Sequence, residues 1–158
     1  MFTYPKADHT VDIVVLKSDT MNQGASILLI RRGNAPYKNC WALPGGFLDM
    51  DETLEEAAFR ELQEETGLIP ERLEQIGTFS ALGRDPRGRT ISTVFLTLVD
   101  MKAKAIPGDD AIETAWFPIS ELPQLAFDHK EIIDSACEKA ATRIRLTPVS
   151  TEEVFERR

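Results

Sequence analysis

Cysteine is scarce in this chain. The two present, Cys40 and Cys137, lie far apart and form no metal or redox motif. They read as free thiols, which excludes a disulfide scaffold and makes a reducing, cytoplasmic setting the default. Long apolar runs are missing as well. The longest, residues 12–16 and 25–30, are strand-sized, so no membrane span is expected. The opening residues, Met1-Phe2-Thr3-Tyr4-Pro5-Lys6, lack the basic start and apolar stretch of a signal peptide. Positive charge is short: 18 Lys and Arg stand against 26 Asp and Glu, for a formal net charge of −8. That balance argues against a nucleic-acid backbone as partner, because phosphate binding wants a basic surface. It is compatible with a small phosphate-bearing ligand held through metal ions, since acidic clusters recruit such ions first. There is no internal repeat and no low-complexity segment.

What is present is enough for one domain. A chain of 158 residues with 42% hydrophobic content can bury a core without staples, and residues 10–145 are expected to carry it. Residues 10–17 and 26–31 are β-branched and apolar, and the turn-rich connection of residues 19–24 makes them a hairpin. Trp41-Ala42-Leu43-Pro44-Gly45-Gly46-Phe47 reads as a short extended piece ending in a tight turn. Residues 54–66 are the clearest helix: Thr53 and Glu56 form a capping box, and Gly67 stands where a C-terminal glycine belongs. Residues 73–82, 90–99 and 114–117 read as strands. Residues 128–145 read as a second helix, with Ile132, Ile133, Ala136, Ala140 and Ile144 near helical spacing, and the last dozen residues are expected to fray. Mostly strands with two main helices point to an α/β fold, an α/β/α sandwich around a central mixed sheet.

The chemistry concentrates between Gly46 and Leu68. Five residues separate Gly46 from Glu52, and seven more lead to Arg60-Glu61-Leu62, followed by Gln63, Glu64-Glu65, Thr66, Gly67 and Leu68. Glu61, Glu64 and Glu65 stand at i, i+3 and i+4, which gathers three carboxylates on one side of a helix, while Ala58 and Leu62 anchor the adjacent face in the core. Like charges so spaced cost a few tenths of a kcal/mol per pair, and hard divalent cations with oxygen ligands offset that repulsion. Arg60 is expected to pair with Glu52 across the loop–helix junction and to fix the orientation of Glu61.

The whole stretch resembles the Nudix box, Gly-x5-Glu-x7-Arg-Glu-apolar-x-Glu-Glu-x-Gly-apolar, without departure. By average residue frequencies nine such positions arise by chance in a chain this long on the order of once in ten million, so the resemblance is specific. It implies a metal-dependent hydrolase that cleaves a nucleoside diphosphate linked to another group. Mg²⁺, with Mn²⁺ as the alternative, would be held by Glu61, Glu64, Glu65 and the backbone carbonyl of Gly45. Outside the box, the segment from Gly83 to Thr90, Gly108-Asp109-Asp110-Ala111 and the segment from Leu125 to His129 resemble small prokaryotic ADP-ribose pyrophosphatases, as does the piece from Trp41 to Phe47. They also resemble Nudix-derived regulators of NAD metabolism that bind ADP-ribose-like ligands. The resemblance runs from about Val11 to Ile133.

From it follow further expectations. Arg84, Asp85, Arg87 and Arg89 belong to a loop offering planar donors to a diphosphate or terminal ribose, or else to a plain exposed turn. Asp109, Asp110 and Glu113 are candidates for a further metal ligand or the general base, with Asp110 or Glu113 favoured and Asp110 taken as a ligand, and Glu61 and Glu64 are further candidates for the base. Phe127 and His129 are expected near adenine or ribose. Tyr37 and Trp41 are candidates for base stacking, with Trp41 favoured for the core. Arg31 and Arg32 alternate faces at a strand end, and Arg31 is taken as the one that reaches the substrate. The expected partner is a small-molecule nucleotide, with neither nucleic acid nor membrane, on a monomer or homodimer. The leading expectation is ADP-ribose hydrolysis. The alternatives are a Nudix hydrolase of a nucleoside triphosphate or oxidised nucleotide, and a non-catalytic ADP-ribose sensor. About 25 residues follow Ile133, too few for the DNA-binding domain such regulators carry.

Overall fold

One strand organises the molecule. In the first strand, Val11, Ile13 and Val15 alternate with Val14 and Leu16, and all five are buried. A strand apolar on both faces needs cover on both. Ala57, Ala58 and Leu62 of the first helix supply it on one side, and Ile132, Ile133 and Ala136 of the second supply it on the other. The result is a sheet between two helices, as the sequence leads one to expect. The structure is a computed structural model that describes residues 1, 3–19 and 24–146. The elements are β1 (Asp8–Asp19), β2 (Gly24–Arg32), β3 (Trp41–Ala42), β4 (Gly45–Phe47), α1 (Leu54–Thr66), β5 (Glu74–Phe79), β6 (Thr90–Leu98), β7 (Ala111–Pro118), a 3₁₀ turn (Ile119–Glu121) and α2 (His129–Leu146). Among the described residues no helix is long and apolar enough to cross a membrane.

The β1–β2 hairpin is present from Asp19↔Gly24 to Leu16↔Ile27, with residues 20–23 of its turn outside the described residues. Beyond that point the two strands part, and residues 41–47 fill the fork. β3 pairs with β2 through Ile30↔Ala42 and Arg31↔Trp41, and β4 pairs with β1 from Thr10↔Phe47 to Asp12↔Gly45. On its other edge β1 runs parallel to β6, from Asp8↔Thr90 to Leu16↔Leu98. β5 flanks β6 and β7 flanks β2, both antiparallel, so the sheet is mixed.

Local signals explain most boundaries. Thr53 accepts from the Glu56 N–H while Glu56 accepts from the Thr53 N–H, so the capping box is complete. Gly67 ends α1 in the left-handed region at φ 71°, where a side chain would be strained. β5 stops at Phe79, short of the expected Leu82, and β7 begins three residues early at Ala111. α2 packs Ala140 on the core, whereas the side chain of Ile144 and residues 147–158 lie outside the described residues. Trp41 packs on the same core, edge-on to Phe117 at 4.9 Å.

Candidate active site

The buried face of α1 is apolar at one end and acidic at the other. Ala57, Ala58, Glu61, Leu62, Glu65 and Thr66 form a single stripe at helical spacing. Glu61 and Glu65 thus occupy positions that face inward, and they are only 8% and 6% exposed. Burying a carboxylate is unfavourable unless it is paired. Burial does raise the pKa of Glu61, although Arg60 opposes it. Burial pushes Glu65 further, to about 8, with the N–H of Gly45 opposing and Glu61, Asp12 and Asp109 adding repulsion.

Arg60 holds the acids together. It clasps Glu52 through two hydrogen bonds of 2.9 and 2.6 Å, so the pairing read from the sequence is present. It also donates to Glu61 at 2.8 Å, to Glu64 at 3.2 Å and to the carbonyl of Phe47 at 3.0 Å. The clasp holds Glu52 ionised, with its pKa lowered to about 2. The facing glycines leave room for this arrangement. A Cβ on Gly46 would lie 2.4 Å from the Glu61 carboxylate, and one on Gly45 would lie 2.1 Å from the carbonyl oxygen of Val11. The Gly45 N–H leaves β4 toward Glu65, at 3.0 Å.

A third element reaches the same place. The N–H of Ile106 donates to the Thr66 carbonyl at 2.9 Å, and that of Gly108 to the Glu65 carbonyl at 3.1 Å. The loop before β7 therefore satisfies two of the carbonyls that a helix end leaves unpaired. Gly108 is needed there, since a Cβ would fall 2.4 Å from the Glu64 carbonyl oxygen. This docking turns Asp109 into the left-handed region, at φ 52°. Asp109 adds repulsion to both Glu61 and Glu65. Asp110 is held instead by the Asn34 amide at 3.1 Å.

The remaining wall is cationic and aromatic. Arg84 is clamped on Asp128 by bonds of 2.9 and 2.7 Å, and Arg87 on Asp85 by bonds of 3.0 and 2.8 Å. The Arg87 guanidinium lies 4.8 Å from the ring centre of Phe47 and 5.6 Å from that of Phe127, and Arg32 lies 5.0 Å from Phe127. Tyr37 contacts Phe127 at 4.8 Å, and both residues have positive φ, at 57° and 50°. Such conformations persist only where the surroundings hold them, and they gather at binding sites.

Between the acidic helix face, the glycines and the cationic wall lies a cleft of about 310 Å³, with Tyr37 outside its lining. Of the residues singled out from the sequence, Gly45, Arg60, Glu61, Glu65, Arg84, Asp85, Arg87, Asp109, Asp110, Phe127 and His129 line it. Glu52 and Glu64 stand behind or beside Arg60 rather than in the lining. Arg31 is turned to an exposed pair with Glu113 at 3.4 Å, and Arg32 lines the cleft in its place. Arg89 donates to the carbonyl of Ser80 at 2.7 Å, outside the lining. Sequence reasoning missed Asp12, which is 7% exposed and lines the cleft. Its signal was a lone carboxylate inside an apolar strand pattern.

Among the described residues no three His, Cys, Asp or Glu side chains close into a ligand group. A hard cation such as Mg²⁺ does not need one, because it takes one or two carboxylates and completes its shell with other oxygens. Glu65 fits such an ion, since burial and the repulsion of Glu61, Asp12 and Asp109 leave its charge unbalanced, and Glu61 fits beside it, its pKa still raised by burial despite Arg60. Gly45 fits as well: in an extended strand the C=O leaves on the same edge as the N–H, and that N–H faces Glu65.

The NUDIX domain model matches residues 8–136. The chain belongs to the NUDIX domain family. The segment is 54% identical over 108 residues to the ADP-ribose pyrophosphatase of Methanocaldococcus jannaschii, covering 68% of this chain and 63% of that protein. It is 35% identical over 154 residues to the ADPR responsive transcriptional repressor NtrR of Acinetobacter baylyi, covering 93% of this chain and 60% of the repressor. The chain thus spans about three-fifths of the length of these curated relatives. Among solved structures, the NUDIX domain of Shewanella oneidensis NrtR complexed with ADP ribose superposes with a TM-score of 0.77 at 33% identity, covering 87% of this chain and 90% of that one.

Proposed function

We propose that this NUDIX chain is a metal-dependent pyrophosphohydrolase that converts ADP-ribose and water to AMP and ribose 5-phosphate. The observation that carries the reading is the pair of buried carboxylates, Glu61 and Glu65, facing Gly45 at one side of a cleft whose other side is built from Arg32, Arg84, Arg87 and Phe127. Glu61, Glu65 and the Gly45 carbonyl would hold Mg²⁺ or Mn²⁺, with Asp110 in the cleft lining and Glu64 beside it on Arg60 as the further acids a second ion would draw on. Such an ion neutralises diphosphate charge and eases deprotonation of the attacking water.

The chain's own groups do the rest. Arg32 and Arg87 offer planar donors to the diphosphate oxygens, and Phe127, backed by Tyr37 outside the lining, offers a face to adenine or ribose. Arg60 keeps Glu61 aimed and lies outside the reacting atoms. The water oxygen bonds to one phosphorus, the bridging oxygen departs with the other phosphate, and the water proton needs an acceptor. Asp109 suits that role because it lines the cleft, whereas Asp110 is tied to Asn34 and Glu113 to Arg31. Asp109→Asn is expected to lower kcat by about 10²-fold or more while the Mg²⁺ concentration for half-activation stays unchanged. Asp110→Asn is expected to raise that Mg²⁺ concentration instead. Steady-state assays across a Mg²⁺ series check both, and the reverse pattern would move the base to Asp110.

Substrate choice is tested by comparing kcat/KM for ADP-ribose, NADH, a nucleoside triphosphate and an oxidised one. ADP-ribose is expected to lead by about tenfold, equivalent to ~1.4 kcal/mol of transition-state preference. A lead by either triphosphate would leave the reaction class standing and remove the substrate. The alignment with NtrR over 93% of the chain favours a second reading, an ADP-ribose sensor. That reading expects binding without product.

A further inference from the structure

His129 lines the cleft, yet both of its ring nitrogens are engaged by the protein. Nδ1 accepts a hydrogen bond from the Leu43 N–H at 3.0 Å, so the ring proton sits on Nε2. Nε2 faces the carboxylate of Asp12 at 3.4 Å. Asp12 in turn accepts from the hydroxyl of Ser92 and has Arg84 at 3.9 Å. Every member of this set is nearly inaccessible: His129 is 4% exposed, Asp12 7% and Ser92 0%. β1, the β3–β4 connection and the first turn of α2 are therefore joined through one imidazole, and β6 is tied to them through Asp12.

The joint bears on a particular piece of backbone. Leu43 is gripped by His129, the Pro44 carbonyl by the N–H of Ile13 at 2.9 Å, and the Gly45 N–H by Glu65 at 3.0 Å. Asp12, the other end of the strut, is the residue paired with Gly45 across the β1–β4 ladder. Two peptide planes leading to the Gly45 carbonyl are thus held: the Pro44–Gly45 plane from both edges by Ile13 and Glu65, and the Ala42–Leu43 plane before it by a side chain 86 residues away.

We infer that His129 is a positioning residue: braced by Asp12, it sets the Leu43–Gly45 backbone and so aims the Gly45 carbonyl at the metal. The inference rests on the metal-binding reading of Gly45. It separates His129 from the substrate-contacting role its place in the sequence suggests, because neither ring nitrogen is left to meet a ligand.

Two substitutions divide the strut. In His129→Asn the amide oxygen branches at the same carbon as Nδ1 and still accepts from Leu43. In His129→Gln the terminal amide reaches Asp12 but offers Leu43 nothing. The experiment measures Mn²⁺ affinity of the full chain without substrate by electron paramagnetic resonance, ADP-ribose affinity without metal by calorimetry, and kcat and KM with Mg²⁺. His129→Gln is expected to weaken Mn²⁺ about tenfold and to lower kcat comparably. Its KM and metal-free ADP-ribose affinity are expected to stay within about twofold of wild type. His129→Asn is expected to retain Mn²⁺ affinity within about threefold. Wild-type Mn²⁺ affinity in His129→Gln, or equal losses in both variants, would overturn the strut while leaving the metal site intact. Loss of ADP-ribose affinity with Mn²⁺ binding unchanged would return His129 to the substrate. A wild-type chain that binds no Mn²⁺ would overturn the parent reading, and the inference with it. If His129→Gln does not fold, His129→Leu likewise leaves the Leu43 N–H without its acceptor and is expected to weaken Mn²⁺ in the same direction; unchanged affinity there would overturn the strut.

Discussion

Glu65→Gln is expected to lower kcat with ADP-ribose by about 10³-fold, or ~4 kcal/mol of transition-state stabilisation, while the fold survives. Glutamine fills the same volume and its amide oxygen still accepts from the N–H of Gly45, so the α1–β4 junction is preserved. What disappears is the negative charge a cation requires. Because that charge matters to the reacting complex more than to substrate docking, kcat and kcat/KM should fall together. A variant with unchanged turnover would remove Glu65 from the metal site.

The same substitution reports on the electrostatics of the metal-free protein. Glu65 is held protonated up to about pH 8 in the folded chain, against 4.5 for an ordinary glutamate. Between those values the unfolded chain has released a proton that the folded chain still binds, so stability must fall as pH rises. This contribution is whole below pH 4.5, shrinks by up to about 1.4 kcal/mol per unit and is lost above pH 8. Urea midpoints of metal-free wild type should therefore fall more between pH 5 and 8 than those of Glu65→Gln. Parallel curves would mean that Glu65 is ionised throughout.

The adjacent glycines are expected to fail differently. Alanine at Gly45 would place its Cβ 2.1 Å from the Val11 carbonyl oxygen, a backbone atom inside the β1–β4 ladder. Relief requires β4 to leave the fork, at a cost of about 3 kcal/mol or more and a fall in Tm of roughly 10 °C. The three atoms nearest an alanine Cβ at Gly46 all belong to the Glu61 carboxylate, the far end of a side chain rather than backbone, the first at 2.4 Å. Gly46→Ala should melt close to wild type yet lose at least about tenfold in activity, because Glu61 is pushed from its place. Thermal melts and turnover of the two variants check this contrast. Equal melting of both would mean that β4 is not wedged as described.

The parts of this site that a sequence shows are those written within one element. The capping box, the left-handed Gly67 and the clustering of Glu61, Glu64 and Glu65 beside Leu62 all arise over two or three helical turns; the structure has the first two, and of the three glutamates it buries Glu61 and Glu65 and leaves Glu64 exposed on Arg60. What stayed hidden depends on partners far along the chain. The fork between β1 and β2, filled by residues 41–47, follows from pairings that no local pattern announces. Nor does any local pattern announce the parallel β1–β6 ladder. The strut from Leu43 through His129 to Asp12 joins three separate segments. Strand alternation put Arg31 and Arg32 on opposite faces without saying which face holds the cleft. The irregular β2–β7 register at that pair, and the Arg31–Glu113 contact beside it, direct Arg32 inward. Residue type and position favour Asp110 or Glu113 among the loop acids without separating them, whereas the folded chain ties Asp110 to Asn34, pairs Glu113 with Arg31 outside the cleft, and leaves Asp109 in the lining beside the docked Gly108.

Catalysis, rather than ligand sensing alone, is tested most directly by following ADP-ribose through one purified sample. The chain is stripped with a chelator, supplied with Mg²⁺ in steps, and assayed by chromatography for AMP and ribose 5-phosphate. Equal amounts of the two products, absent after chelation and restored by Mg²⁺, are the expected result. Saturable ADP-ribose binding with no product at any Mg²⁺ or Mn²⁺ concentration would contradict it and make the chain a sensor.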